Sequence, residues 1–343
     1  MKKTFRQKLW LDRRSRKLQK LNTRKKKGIS KNRIRVPLHA GETKDIYIAK
    51  APSDFSFIQN TQETISYFMD ILEQMERKRQ KQMFFLDVAE VTSVTTDALV
   101  YIIALLYNLK RNLLMNYSFK GNLPKEKAAE KVFLESGFLN YVKTKRAVMP
   151  KVNDKVQIIS GTITDTTVAG QICDFVNSRY DRDYKFTQPL YKTLIELMSN
   201  TVHHAYNKNT ITVHSWYLYA IDMGSTIQFT FIDTGEGIPN TVKRKFLEKI
   251  PFFVKDSDLI YSAFMGESRT ETGLYNRGHG LPALYEKVIS GKLKNFYVLS
   301  GTGCCKSVME NDTIRLEKID YEKEIFGSIF QFEIENDKEV IAC

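Results

Sequence analysis

Glu196 and Asn200 stand four residues apart in the helical segment Glu196-Leu-Met-Ser-Asn200, so their side chains share one face. An amide oxygen such as that of Asn200 is a suitable hard ligand for Mg²⁺, an ion that keeps several waters and leans on substrate phosphates. A carboxylate one turn earlier can accept a proton from an attacking water. Farther along, Phe229-Thr-Phe-Ile-Asp233 is an apolar strand ending in a carboxylate, followed by Gly235, Gly237, Ile238 and Pro239. Asp233 can accept from an exocyclic amine there, which would choose adenine over guanine. The glycines let backbone approach a flat base, and Pro239 suits the first turn of a helix. A third segment, Gly278-His279-Gly280-Leu281, precedes a helix, where free N–H groups and the helix dipole favour phosphate. Alone, each segment has a plain structural reading, as polar surface of a helix, as a strand-ending turn or as a loop. Together and in this order they describe a pocket for a magnesium-bound nucleoside triphosphate. The third segment fits neither G-x-G-x-x-G nor G-x-x-x-x-G-K-[ST].

These segments resemble the motifs of the GHKL ATPase superfamily, which includes gyrase, heat-shock chaperone, histidine kinase and mismatch-repair ATPases. Glu196 and Asn200 match its N box, Asp233-Thr-Gly-Glu-Gly237-Ile238 its first glycine box, and Arg277-Gly278-His279-Gly280-Leu281 its second. Gly327-Ser328 matches the opening of its final strand, where the hydroxyl assists the adenine-binding carboxylate. The resemblance covers residues 160–335. It implies an α+β chain with a Bergerat-type two-layer sandwich, a mixed sheet carrying helices on one face. It also implies ATP bound through Mg²⁺, with Glu196 catalytic and Asn200 on the metal. Asp233, Gly235, Gly237, Ile238, Gly278, His279, Gly280, Leu281 and Ser328 would contact the nucleotide. Residues 240–277 would form a lid over ATP, with Ser268 and Arg269 as candidate phosphate contacts, and His203 or His204 as others. His279 and Pro282 depart from the usual kinase residues, and no segment resembles the phosphoacceptor helix of a sensor kinase.

Elements must hold these groups in place. Strands and helices alternate before the site: Met83–Val88 as a buried strand, a helix from Asp97 to Asn112, a strand at 117–121, and a helix over 125–142 broken at Gly137. That alternation suggests a small α/β layer domain. The stretch Leu86 to Leu99 resembles the signature of STAS domains, the sulfate-transporter and anti-sigma-antagonist fold. In that register Asp97 occupies the phosphoserine position and supplies a permanent negative charge, with Thr95 and Thr96 as phosphoacceptor candidates. An ordinary helix N-cap reads equally well. The expected organisation is a basic leader (1–36), a STAS-like domain (37–143), a linker (144–159) and the ATP-binding domain (160–343).

The chain has 343 residues and a formal charge of +14, and the excess is not spread evenly. Residues 1–36 hold 16 Lys/Arg against one acid, Asp12, and the rest is nearly neutral. Such a block suits a polyanion, either nucleic acid or an acidic protein face. The four cysteines lie outside zinc spacing and read as free thiols, and no apolar run approaches the roughly 20 residues of a membrane span. The expectation is therefore a cytoplasmic protein with no membrane contact, a protein partner and scope for homodimerisation. Three activities remain open. The favoured one is a Mg-dependent ATPase acting as a nucleotide-driven switch on a partner. The alternatives are an anti-sigma-type Ser/Thr kinase acting on a STAS-like protein, and a non-enzymatic nucleic-acid adapter with structural ATP.

Overall fold

The computed structural model describes residues 33–37, 43–77, 83–112, 118–142, 156–205, 214–245, 254–267 and 280–336. The basic leader up to residue 32 and the linker over 143–155 lie outside the described residues. Strands β1 (Arg33–Pro37), β2 (Thr43–Lys50), β4 (Met83–Asp87) and β6 (Ser118–Gly121) form a four-stranded sheet in the order β1-β2-β4-β6. β1 is antiparallel to β2, whereas β2, β4 and β6 run parallel. A two-residue ladder, β3 (Asp54–Phe55) with β5 (Ser93–Val94), lies beside it. Helix α1 spans Thr61–Arg77 and buries Ile65, Phe68, Ile71 and Met75, a three-to-four spacing that makes one apolar stripe. It starts later than its apolar pattern does. The Ser56 hydroxyl accepts from the N–H groups of Ile58 and Gln59 and turns the chain just before the helix.

Helix α2 (Thr96–Asn112) has no exposed side from Ala98 to Leu106, where every residue is buried. A helix apolar all round must be covered all round. Its cover comes from two sheets, since its side chains share one core with Tyr47, Phe84 and Leu86 of the first sheet and with Tyr217, Tyr219, Ile232 and Ile329 of the second. Helices α3 (Lys127–Glu135) and α4 (Phe138–Val142) follow, separated at Gly137, which takes the left-handed conformation (φ 78°) and breaks the helix where the sequence suggests.

The second sheet is built from β7 (Val156–Gly161), β8 (Trp216–Asp222), β9 (Thr226–Asp233), β10 (Lys294–Ser300), β11 (Gly303–Glu310), β12 (Thr313–Asp320) and β13 (Ser328–Glu335). Its order is β12-β11-β10-β13-β9-β8-β7. Interspersed are α5 (Thr166–Tyr180), α6 (Tyr184–Ala205), α7 (Ile238–Lys245), α8 (Asp256–Met265) and α9 (Gly280–Ile289). Side chains alternate along each strand. Trp216, Leu218, Phe229, Phe231 and Phe330 point to a core shared with α5, α6, α8 and α9, while Tyr217, Tyr219, Ile232 and Ile329 point to the core shared with α2. Both faces are dry, which explains the unbroken apolar run Trp216-Tyr-Leu-Tyr-Ala220.

Helices α5, α6, α8 and α9 share their core with one face of the second sheet, and α2, from the first part of the chain, covers the other. Two expectations need correction. The sheet is not mixed at the level of neighbours, because every adjacent pair is antiparallel. β9 and β10 run the same way, but β13 lies between them. Finally, residues 156–159 belong to an edge strand of the sheet and not to a linker.

Asp97 also departs from expectation. It is 0 % exposed and displays no charge. Its Oδ1 accepts from the Ala98 N–H at 2.7 Å and from the Thr95 hydroxyl, and its Oδ2 accepts from the Phe57 N–H at 3.2 Å. Thr96 is buried too, its hydroxyl 2.6 Å from that of Thr230 on β9. Asp97 is therefore a buried carboxylate in the first turn of α2 and not a displayed phosphate mimic. Burial raises the Asp97 carboxyl from 3.8 to about 6, against the opposing hydrogen bonds. The folded chain holds this proton more tightly than the unfolded chain. Its contribution to stability is present below the ordinary carboxylate pKa and is lost as pH rises toward about 6, a change of about 3 kcal/mol. Asp97→Asn removes that dependence. Urea unfolding at pH 4 and pH 6.5 should therefore show the variant gaining on the parent at the higher pH, and an equal difference at both pH values contradicts this.

Candidate functional site

The site begins where β9 ends. Strand register sets Ser328, the first residue of β13, directly opposite Asp233. The Ser328 hydroxyl hydrogen-bonds the Asp233 carboxylate, and the Gly235 N–H donates to Asp233 Oδ1 at 2.7 Å. Asp233 itself remains partly accessible. Desolvation pushes its carboxyl above the ordinary range, while these two hydrogen bonds and the nearby His214 work against that shift.

A second hydroxyl ties the surrounding loops together. Ser300, at the end of β10, donates to the Gly327 carbonyl at 3.0 Å, accepts from the Ile238 N–H at 2.9 Å, and lies 3.0 Å from the Ser328 hydroxyl. Gly237 and Gly327 both adopt left-handed backbone, with φ of 81° and 78°. At Gly327 a Cβ would sit 2.0 Å from the Asp233 carbonyl oxygen, and at Gly237 it would meet Ser300 Oγ at 2.8 Å. Thr234 closes the other side, its hydroxyl accepting from the Ser215 N–H at 2.9 Å. His214, buried beside it, bonds the Thr234 carbonyl through Nδ1 at 3.0 Å.

From here a line of contacts leads to the helix carrying Glu196 and Asn200. Ile238 opens α7, and Leu281 lies in the first turn of α9. Both pack against the small apolar cluster of Val242, Leu259 and Ala263. Next to Leu281, Gly280 approaches α6 so closely that a Cβ on it would overlap the Glu196 carboxyl, 1.6 Å from Oε1. The same seam between α6 and α9 holds Lys287, whose ammonium donates to the Thr193 hydroxyl at 3.0 Å. Burial lowers the Lys287 pKa, and the nearby Glu196 carboxylate opposes that shift. Glu196 and Asn200 are both partly exposed on α6.

The sequence-derived residues therefore divide three ways. Asp233, Gly235 and Ser328 form one hydrogen-bonded cluster with Gly237 close against Ser300, while Glu196 and Gly280 meet at a second point. Ile238 and Leu281 pack into the apolar link between the two, a structural role beside the nucleotide contact expected of them. His203 and His204 lie on the last turn of α6, with side chains outside the described residues, as are Ser268, Arg269, Gly278 and His279. Ser300, Thr234 and His214 went unmarked by sequence reasoning. Ser300 carried a faint signal, since it ends an apolar strand just before Gly301-Thr-Gly303.

Among the described residues, no group of three or more His, Cys, Asp or Glu could hold a metal ion, and no helix is long and apolar enough to cross a membrane. Cys173, Cys304 and Cys305 are free and buried. Burial raises their thiols to about 11, about 12 and about 12 respectively.

No family model matches the chain, and no curated protein matches it. Among solved structures, it is similar to the nucleotide-free catalytic domain of histidine kinase ThkA in two crystal forms. One match has 13% identity over 53% of this chain and 97% of that chain, with a TM-score of 0.22. The other has 14% identity over 53% and 98%, with a TM-score of 0.21. Superposition at this level carries no argument about activity.

The left-handed turn at Gly327 yields a direct test of the site's construction. Gly327→Ala combines a disfavoured backbone conformation with a clash against backbone oxygen, and is expected to cost at least about 2 kcal/mol. Chemical denaturation of the variant checks this, and a parent-like midpoint would show that the turn is not built as described.

Proposed function

We propose that this chain is an ATP-binding protein that hydrolyses ATP slowly with Mg²⁺ and uses the nucleotide as a conformational switch. The supporting observation is the line of contacts from Asp233 through Ser300, Ile238 and Leu281 to Gly280 and Glu196. It joins three segments that are far apart in sequence, and each carries one of the functions a nucleoside triphosphate site requires.

The residues present fit the ligand. Asp233 keeps acceptor capacity at an accessible strand end, held in orientation by Gly235 and Ser328, which suits an exocyclic amine. Gly280 begins a ten-residue helix, whose N-terminus favours phosphate. Asn200 supplies an oxygen of the type Mg²⁺ accepts alongside phosphate oxygens and water. When bound, Mg²⁺ would neutralise phosphate charge. Glu196 would take the proton from the attacking water, and its position against the start of α9 keeps the base at the phosphate end of the site. In this reading residues 240–277, which lie between the two ends of the site in sequence, are the segment through which bound nucleotide would act on a partner.

Two substitutions separate binding from turnover. Asp233→Asn replaces a charged acceptor by an amide of mixed character and is expected to weaken ATP binding at least about tenfold. Isothermal titration reads this directly, and affinity equal to the parent's would refute the adenine-recognition role. Glu196→Ala is expected to bind ATP normally and to lose hydrolysis by about 10²-fold or more, the usual scale for a general base. Phosphate release at the parental rate would remove Glu196 from the mechanism.

A further inference from the structure

The site is held from behind by a residue of the first layer. Tyr101 lies on α2 and is 3 % exposed. Its ring packs edge-on against Phe57 and Phe68, with centroids 5.0 and 4.7 Å away. Its hydroxyl donates to the Phe326 carbonyl at 3.1 Å and accepts from the Phe326 N–H at 2.9 Å. One phenol thus satisfies both backbone polar groups of a residue 225 positions away. Desolvation drives the phenol pKa well above its ordinary value, and the charge of Asp233 adds to the effect. The group therefore stays protonated and keeps both bonds.

Phe326 immediately precedes Gly327, the left-handed residue whose Cα lies against the Asp233 backbone, and Ser328, which pairs with Asp233. Fixing both polar groups of Phe326 fixes where Gly327 enters its turn. That in turn sets the hydroxyl of Ser328 against the carboxylate. One turn earlier on the same helix, Thr96 bonds Thr230, three residues before Asp233 on β9. α2 therefore grips both strands that meet at the carboxylate.

Resting on the ATP-site reading, we propose that Tyr101 is a positioning residue for base recognition, and that α2 couples the first layer to nucleotide selectivity. Coupling of this kind is reciprocal: what shifts α2 changes nucleotide affinity, and nucleotide changes the freedom of α2. Tyr101→Phe keeps the ring and its packing but leaves the Phe326 N–H and C=O without their partner. Tyr107→Phe breaks a hydrogen bond of the same helix, from the Tyr107 hydroxyl to the Tyr141 carbonyl, while leaving both β9 and the 325–328 loop untouched.

The test measures the affinities of a non-hydrolysable ATP analogue and its GTP counterpart, with Mg²⁺, on the full-length chain and both variants. Tyr101→Phe is expected to weaken the ATP analogue at least about fivefold, the lower end of ordinary coupling, and to narrow the ATP-over-GTP ratio. Tyr107→Phe is expected to lower stability with the ratio unchanged. If the parent binds neither analogue, the ATP-site reading itself fails. If the parent binds the ATP analogue and Tyr101→Phe keeps the parental affinity and ratio, the positioning role is overturned. Equal narrowing in both variants overturns it as well, because the effect would then be general loosening. Hydrogen exchange on the parent chain gives an independent readout. Nucleotide should slow exchange at residues 325–328 and in α2 together, and protection restricted to 233–238 and α9 would contradict the coupling.

Discussion

The pairing of β13 with β9, which sets Ser328 across from Asp233, is the constraint on which the rest of the site depends. A carboxylate at a strand end is ordinarily well hydrated and free to rotate. Here one oxygen accepts from Gly235, a serine hydroxyl reaches it across the ladder, and partial removal of water raises its proton affinity. Such a group has one orientation and a strong incentive to find a donor. The left-handed glycine before Ser328 is the geometric condition for this arrangement, because any side chain at that position would strike the Asp233 carbonyl.

The central sheet supplies stiffness from both sides. Phe229 and Phe231 of β9 face a core formed with α5, α6, α8 and α9, and the intervening Thr230 faces α2. A strand buried on both faces cannot slip by one residue without exchanging its whole set of contacts. The carboxylate at its end is therefore placed by the packing of both cores, not by the local turn alone. At the other end of the site the control is different. Glu196 lies where a helix N-terminus without a side chain at Gly280 comes close, so its position depends on the approach of two helices, α6 and α9.

Much of this was legible in the sequence because it is local. The strand ending in Asp233, the glycines after it, and the Glu196–Asn200 spacing all follow from periods of two and of 3.6 residues. Gly137 was legible for the same reason, and it does take positive φ. Other features were not legible because their causes lie far away in sequence. β11 begins Gly303-Cys-Cys-Lys, which shows no alternation, since its first three residues are buried and its last two are exposed. The Asp97 carboxylate reads as surface charge until Phe57, 40 residues earlier, is seen donating to it. Nothing in the apolar run of α2 marks Tyr101 as different from its neighbours, because its partner is 225 residues distant. The second sheet face was half-announced by Trp216-Tyr-Leu-Tyr-Ala220, but an apolar run does not name what covers it.

The central claim is that Asp233 recognises an adenine amino group while α6 and α9 hold the phosphates. A crystal structure of the full chain with a non-hydrolysable ATP analogue and Mg²⁺ tests it most directly. The account predicts the base amine within hydrogen-bond distance of Asp233, the metal on Asn200, and the terminal phosphate beside Gly280 and Glu196. A base bound elsewhere, or a nucleotide-soaked crystal with nothing between Asp233 and Glu196, contradicts it.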